Sequence, residues 1–421
     1  MQTLNEWLQY WLAQHPSEIV MGLDRVRQVW KALGAPTVAS RIFTVAGTNG
    51  KGSCVTFLDA MLRAGGYRVG RYTSPHLLRY NERVAINDVQ ASDAQLIGAF
   101  ERIDAARAGV PLTYFEAGTL AALLIFADAG LDAVVLEVGL GGRLDAVNLI
   151  DADVALISSI GFDHQDVLGE SLADIAVEKA GICRAGRRVV IAMPQPVPEL
   201  LRVVVARGAV PVRAMVDYSW RHESAADTWS LTFDQSSFVL PMPALAAPIQ
   251  LRNAAAAIAA LMQCADRLPL SADALRSGIE LAHLPGRLQV IAGQPQMVLD
   301  VAHNPEAAQS VADWLDAYPR PTRAVFSALA DKDAVGIVRV LCQRISHWYL
   351  CGLREQTPRG TSAAELLQRL RQELPDLSAS AHSTPQNALA AACSAAEGNE
   401  RVLVFGSFYL IAALLPALEQ P

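Results

Sequence analysis

The chain has 421 residues, enough for two or three domains with separate cores. Its 52% apolar and 18% charged residues describe an ordinary globular protein rich in Ala and Leu. The net charge of −7 excludes the basic footprint that bulk nucleic-acid binding needs, while leaving room for a phosphate site built from local helix dipoles.

The start, with Glu6 where a basic n-region would lie, has no signal-peptide character, so the expected location is cytoplasmic. Leu4, Trp7, Leu8, Trp11 and Leu12 recur at helical spacing and predict an amphipathic helix over 4–13. Apolar strands are then expected at 41–46, 69–73, 133–138, 154–158 and 188–192. Helical patterns at 51–64, 92–108, 116–129 and 171–180 lie between them. Short continuous apolar strands separated by helices imply an α/β domain whose mostly parallel sheet is covered on both faces. The stretch 210–248, with Trp220, Trp229, Phe233 and Phe238 and local alternation, reads as a small antiparallel β insertion. An Ala-rich helix is expected over 251–267.

After Pro285-Gly286, read as the linker, strands near 297–301, 324–327, 348–351 and 402–405 restart the alternation. The expected organisation is therefore a P-loop-type ATP-binding domain over 1–285 and a second Rossmann-like α/β domain over 286–421. The uncharged stretches 117–127 and 254–265 are too short to span a bilayer, and Pro241, Pro243 and Pro248 break 238–251. Six cysteines without a Cys-x-x-Cys pair fit reduced thiols better than disulfides or zinc ligands.

The chemistry begins where strand 41–46 runs into Gly47-Thr48-Asn49-Gly50-Lys51-Gly52-Ser53 and an apolar helix. Glycines let backbone N–H groups converge on an anion, the helix start adds partial positive charge, and Lys51 would face the β- and γ-phosphates. The strict G-x-x-x-x-G-K-[ST] pattern fails: Val45 occupies its first glycine position and Gly52 intervenes before Ser53. A glycine-rich turn with a solvated lysine is the plain alternative. Farther on, Val134-Val135-Leu136-Glu137-Val138-Gly139-Leu140-Gly141-Gly142-Arg143-Leu144-Asp145 sets an acid at the end of a buried strand. Carboxyl ends of strands in an open parallel sheet are where ligands bind, and a carboxylate there suits Mg²⁺. Taken alone, Glu137 also fits an acid salt-bridged at a strand end.

Together these segments resemble the folylpolyglutamate synthase family, including bacterial dihydrofolate synthases, within the Mur ligase superfamily. The resemblance covers nearly the whole chain. It continues through Thr73-Ser74-Pro75-His76-Leu77, Tyr114-Phe115-Glu116, Gly161-Phe162-Asp163-His164 and Glu178-Lys179-Ala180-Gly181. Pro285-Gly286-Arg287, Leu299-Asp300-Val301-Ala302-His303-Asn304-Pro305 and Phe405-Gly406-Ser407-Phe408-Tyr409 complete it. The sequence departs from the family pattern at Val147, usually small or hydroxyl-bearing, and at Arg252, more often His or Gln.

The resemblance implies that Thr48, Asn49, Gly50 and Lys51 bind ATP phosphates. It implies that Ser74 and Glu137 hold one Mg²⁺ and that His164 helps hold a second. Ser53 is either a nucleotide-side hydroxyl or only a helix cap. Lys179 matches a lysine carried as a carbamate; without the family it reads as a helical lysine paired with Glu178 or a neighbour. Asn253 and Arg287 match adenine- or phosphate-contacting positions, and Asp300 and His303 match the nucleotide site of the second domain. Asn253 alone would read as a helix-start cap, and 300–305 as a capped helix start. Arg287, just past the linker, is expected to approach ATP only on domain closure, where it would stabilise the charge in transfer. A pterin-bearing substrate is expected at Met21 and Gly22, at Thr113, Tyr114, Phe115 and Glu116, and at Leu144, Asp145 and Ala146. Tyr114 and Phe115 fit ring stacking or core packing equally.

The implied reaction is ATP-dependent ligation of L-glutamate to 7,8-dihydropteroate, and of further γ-linked glutamates to reduced folates, through an acyl phosphate. Lys51, Lys179, His164 and Arg287 are its expected catalytic groups, with no nucleic-acid or membrane partner and a monomeric state. A cell-wall precursor ligase would carry an extra N-terminal domain, for which residues 1–46 are too few. A non-ligating P-loop switch has no use for Arg287, Asp300 and His303.

Overall fold

The structure, a computed structural model, describes residues 1–15, 20–223 and 226–418. It comprises two compact units, Met1–Ala244 with Leu251–Ala282, and Leu245–Gln250 with His283–Pro421.

The first unit is built on an eight-stranded sheet. Its strands are β1 (Ala39–Ala46), β2 (Val69–Tyr72), β3 (Val84–Ile86), β4 (Val89–Gln90), β5 (Leu131–Glu137), β6 (Val154–Ile157), β7 (Arg188–Ile191) and β8 (Val210–Arg213). They lie in the order β4-β3-β2-β5-β1-β6-β7-β8. From β2 to β8 every pairing is parallel, and β3 and β4 add an antiparallel edge. The chain leaves β1 toward β2 on one side and later reaches β6 on the other, so β1 lies at the point where strand order reverses. That is where open α/β sheets bind ligands. Val45 pairs with both Glu137 and Leu156, which brings the ends of β5, β1 and β6 level.

Ala133–Leu136 of β5, all of β6 and Val189–Ile191 of β7 are continuous runs of Val, Ile, Leu and Ala, buried throughout because helices cover both faces. Helix Lys51–Ala64 is buried without interruption from Gly52 to Leu62, and helix Tyr114–Ala129 from Glu116 to Phe126. Such helices have no polar face, so burial on all sides stabilises them rather than amphipathicity. Thr113 caps the second with a reciprocal box to Glu116.

The expected β insertion needs one correction. Val210–Arg213 belongs to the main sheet, where it pairs with β7, and only β9 (Tyr218–Glu223), β10 (Thr228–Phe233) and β11 (Ser236–Pro241) form the separate antiparallel sheet. Residues 224 and 225 lie outside the described residues. Trp229 and Leu231 point inward and are fully buried, which fixes that sheet's register.

The second unit carries a six-stranded sheet in the order β12-β13-β17-β14-β15-β16. These are Gln289–Ile291, Gln296–Asp300, Thr322–Phe326, Trp348–Cys351, Ala379–His382 and Arg401–Phe405 for β12 to β17 in chain order. All pairings are parallel except the β12–β13 hairpin. Phe326, Trp348 and Phe405 pack together at its core. The six cysteines are free thiols, four of them buried. Among the described residues no helix is long and apolar enough to cross a membrane.

Candidate active site

The loops that follow β1, β5 and β6 emerge side by side, and side-chain hydroxyls lock them together. Thr48 Oγ1 donates to Gly161 O at 3.0 Å and accepts from Gly161 N–H at 2.9 Å. Asn49 N–H donates to Ser159 Oγ at 2.9 Å, and Ser158 Oγ donates to Asn49 O at 2.7 Å. Thr48 N–H donates to Ser159 O at 3.0 Å. The amides of Thr48 and Asn49 are thus committed to holding the loop. The first turn of helix Lys51–Ala64 carries the N–H groups of Gly52 and Ser53, which point out of the helix start. Gly50 precedes them as N-cap at φ +83°. Ser53 is the third helical residue, buried, and not a cap. Ser158 and Ser159 escaped sequence reasoning because they continue an apolar strand and only the fold sets them against 47–50.

Two ammonium groups converge on one carbonyl. Lys51 Nζ donates to Gly47 O at 3.0 Å and Thr48 O at 3.1 Å, and Lys179 Nζ donates to the same Gly47 O at 3.0 Å. Lys179 is only 4% exposed, and Glu178 is turned away to Arg143 at 2.7 Å. The pairing of Lys179 with Glu178 considered from sequence is therefore not the one formed. Gly142 allows this approach, since a Cβ there would lie 2.8 Å from Glu178 O. Asn253 is buried within helix Ile249–Met262, four residues past its start, and so is no cap. Its side chain flanks the phosphate loop: a Cβ on Gly50 would lie 3.0 Å from Asn253 Oδ1.

Ser74, at the end of β2, donates its N–H to Glu137 Oε2 at 3.2 Å, at the end of β5. Glu137 is buried. His164 follows β6 on the loop that Gly161 ties to Thr48, and holds a left-handed φ of +51°. That conformation costs a non-glycine residue energy and recurs at functional sites. Among the described residues no three His, Cys, Asp or Glu side chains form a ready metal cage. A buried carboxylate, a serine and an imidazole beside a phosphate loop fit Mg²⁺, which binds through one or two carboxylates, waters and substrate phosphates.

The three segments expected to meet the pterin do converge. Gly22 N–H donates to Leu144 O at 3.3 Å, and Met21 lies against the 139–145 loop, its Cε 3.5 Å from where a Gly141 Cβ would stand. The far end of the Phe115 ring lies against Gly139, its Cζ 2.4 Å from where a Cβ would stand, which leaves no room for one. Tyr114 meets Tyr80 edge-on at 5.6 Å under the guanidinium of Arg83. Asp145 organises its own loop, accepting from Leu140 N–H at 2.8 Å and Val147 N–H at 2.9 Å. Burial pushes its carboxyl up to about 6, against the pull of those N–H donors and of Lys51. Val147, the departure from the family pattern, and Ala146 are buried in the short helix Ala146–Leu149. Glu116 receives the guanidinium of Arg25 at 2.8 Å, a partner with no sequence signal.

In the second unit Asp300 ends β13 and accepts from Leu288 N–H at 2.8 Å and Ala302 N–H at 2.7 Å. Burial raises its carboxyl above the ordinary range, opposed chiefly by the nearby Arg287. His303 Nδ1 donates to Val301 O at 2.9 Å, and both His303 and Arg287 face the Phe408 ring. Asn304 caps helix Pro305–Ala317, as the capped-start reading expected.

Comparisons with known proteins agree with this fold. Residues 45–261 match the Mur ligase middle domain and residues 286–408 the Mur ligase glutamate ligase domain. The dihydrofolate synthase/folylpolyglutamate synthase of Escherichia coli K12 is 39% identical over 99% of this chain and 96% of its own. That of Bacillus subtilis 168 is 34% identical over 94% and 95%. The structure of E. coli FolC in complex with DHPP and ADP superposes with a TM-score of 0.93, at 38% identity, over 99% of this chain and 98% of that one. A bifunctional folylpolyglutamate synthase/dihydrofolate synthase with Mn, AMPPNP and L-glutamate bound gives 0.91, at 41% identity, over 100% and 99%. With both domain matches in order and whole-length relatives sharing more than a third of its residues, this chain belongs to the dihydrofolate synthase/folylpolyglutamate synthase family of Mur-type ligases.

Proposed function

We propose that this chain joins the amino group of L-glutamate to the carboxylate of 7,8-dihydropteroate, giving dihydrofolate, and extends reduced folates with γ-linked glutamates. The observation that carries the reading is the convergence of Lys51 and Lys179 on Gly47 O, beside the linked pair Ser74 and Glu137. Lys51 and the acidic metal donors at the carboxyl ends of the central strands answer the central difficulty, which is bringing a carboxylate up to a triphosphate.

The substrate carboxylate attacks the γ-phosphorus of ATP, giving an acyl phosphate and ADP. The glutamate amine then attacks the acyl carbon, and the tetrahedral adduct expels phosphate. Lys51 neutralises phosphate charge, and the N–H groups of Gly52 and Ser53 orient the anion at the helix start. Mg²⁺ would supply the remaining charge neutralisation, one ion held by Ser74 and Glu137 and a second held with the help of His164. Lys179 is read as a carbamate: its ammonium loses one proton, the free amine adds to CO₂ and a second proton leaves, changing a cation into a carboxylate-like donor at the loop. Arg287, Asp300, His303 and Asn253 are assigned to the nucleotide, and Met21, Gly22, Tyr114, Phe115, Leu144 and Ala146 to the substrate. Residues 1–285 are assigned to ATP and 286–421 to the ligase domain, in a cytoplasmic monomer, which light scattering in solution would check.

The test is ADP release by purified protein with MgATP and L-glutamate, with and without 7,8-dihydropteroate, then with tetrahydrofolate. Release that needs dihydropteroate establishes the synthase, and release with tetrahydrofolate the second activity. Steady release without either acid overturns the ligase.

A further inference from the structure

Three segments far apart in sequence form the region assigned above to the pterin, and one side chain ties two of them directly. Arg25 stands in the first turn of helix Asp24–Ala32. Its Nη2 donates to Val20 O at 3.0 Å, folding the stretch through Met21 and Gly22 back onto the helix start. The same Nη2 donates to Glu116 Oε1 at 2.8 Å, and Nε lies 3.2 Å and 3.3 Å from the two carboxylate oxygens. Glu116 Oε2 also accepts Thr113 N–H at 2.7 Å, so the carboxylate fixes the start of the helix that carries Tyr114 and Phe115. Gly22 N–H on Leu144 O then brings in the third segment.

Both oxygens of Glu116 are engaged by these donors, and its side chain is 4% exposed. Three N–H donors from within the protein, Nη2 and Nε of Arg25 and the Thr113 amide, share its two oxygens. We propose that Arg25, acting through Glu116 and Val20 O, is the positioning residue that sets the spacing of the pterin-binding segments. The proposal rests on the assignment of those segments to the substrate. A planar two-pronged donor is required, because one guanidinium must satisfy a carboxylate and a carbonyl in fixed directions. Lysine keeps the charge and loses the fork.

The test is steady-state ADP release by Arg25→Lys and by the double variant R25Q/E116Q, which leaves no buried charge without its counterpart. The expected result is a KM for dihydropteroate raised about tenfold in the double variant and about threefold or more in R25K. The KM for ATP should stay within about twofold of wild type in both, because the nucleotide loops are held by other bonds. A merely structural role would move both constants together or lower the amount of folded enzyme without changing either. An unchanged KM for dihydropteroate, or equal rises for both substrates, overturns the positioning role. Wild-type protein that shows no dependence on dihydropteroate overturns the functional assignment itself, and so is told apart from failure of the positioning role alone.

Discussion

Replacing Thr48 by Val removes one hydroxyl and keeps the branched shape. The hydroxyl makes a reciprocal pair with Gly161, at 3.0 Å to its carbonyl and 2.9 Å from its N–H. Gly161 is buried, and His164 lies three residues farther along the same loop. Each intramolecular hydrogen bond contributes about 1 kcal/mol net, and a buried group left without a partner costs about 1–3 kcal/mol more. Water reaches the half-buried Thr48 and offsets part of this, leaving a loss of about 1.5–3 kcal/mol. Only the geometry of 161–164 against the phosphate loop depends on the bond, so the loss should fall on nucleotide and metal. T48V is expected to raise the KM for ATP and the Mg²⁺ concentration for half-activation by about tenfold or more. Thr48→Ser keeps the hydroxyl and should stay within about twofold. The KM for dihydropteroate should not move. The assay is ADP release with ATP, Mg²⁺ and dihydropteroate varied in turn. A T48V enzyme with wild-type ATP and Mg²⁺ dependence, or T48S and T48V equally impaired, would refute the hydroxyl latch.

Three further tests probe other groups. Gly50→Ala forces a Cβ into a left-handed residue 3.0 Å from Asn253 Oδ1, whereas Gly34→Ala, at φ +88° with open space around it, carries the backbone strain alone. Both should lose about 1–2 kcal/mol of stability in urea unfolding, but only G50A should weaken ATP binding. Asp145 is raised from 3.8 to about 6, so its contribution to stability is fully present below about pH 4 and is lost as pH rises through 6, about 3 kcal/mol in all. Asp145→Asn should remove that pH-dependent component between pH 4 and 7, and parallel wild-type and variant profiles in denaturant melts would refute it. Glu137→Gln should raise the Mg²⁺ requirement at least about tenfold while the protein melts near the wild-type temperature; unaltered Mg²⁺ activation would remove Glu137 from the metal site.

The central strands were legible because each is a short continuous apolar run, and their two-sided burial bears that pattern out. Less could be read where residues pair across distance without an apolar signal. Both residues of β4 are exposed, and β16, Ala379–His382, holds Ser and His among its four residues. β8 looked like part of the neighbouring hairpins because it directly precedes them, while its partner β7 lies on the other side of helix Pro198–Ala206. At the site, the glycine loop and the strand-end acid stood out because their chemistry is local. Ser159 on Asn49 and Arg25 on Glu116 span 110 and 91 residues, and no local pattern marks such pairs.

The departure from the strict phosphate-loop pattern has a physical cause in this sheet. The usual first glycine position is Val45, which lies inside β1, fully buried between Glu137 and Leu156. A glycine there would lose core packing and gain nothing, because the backbone at 45 is still regular strand. The close approach falls two residues later. A Cβ on Gly47 would stand 1.9 Å from Ser158 Oγ, the hydroxyl that holds Asn49 O. The need for glycine has moved with the turn, and it follows the neighbouring strand's serine rather than the phosphate. Gly47 O is left where both Lys51 and Lys179 reach it. A side chain at 47 would displace the turn that presents this carbonyl, so the glycine, the serine and the two lysines form one constraint.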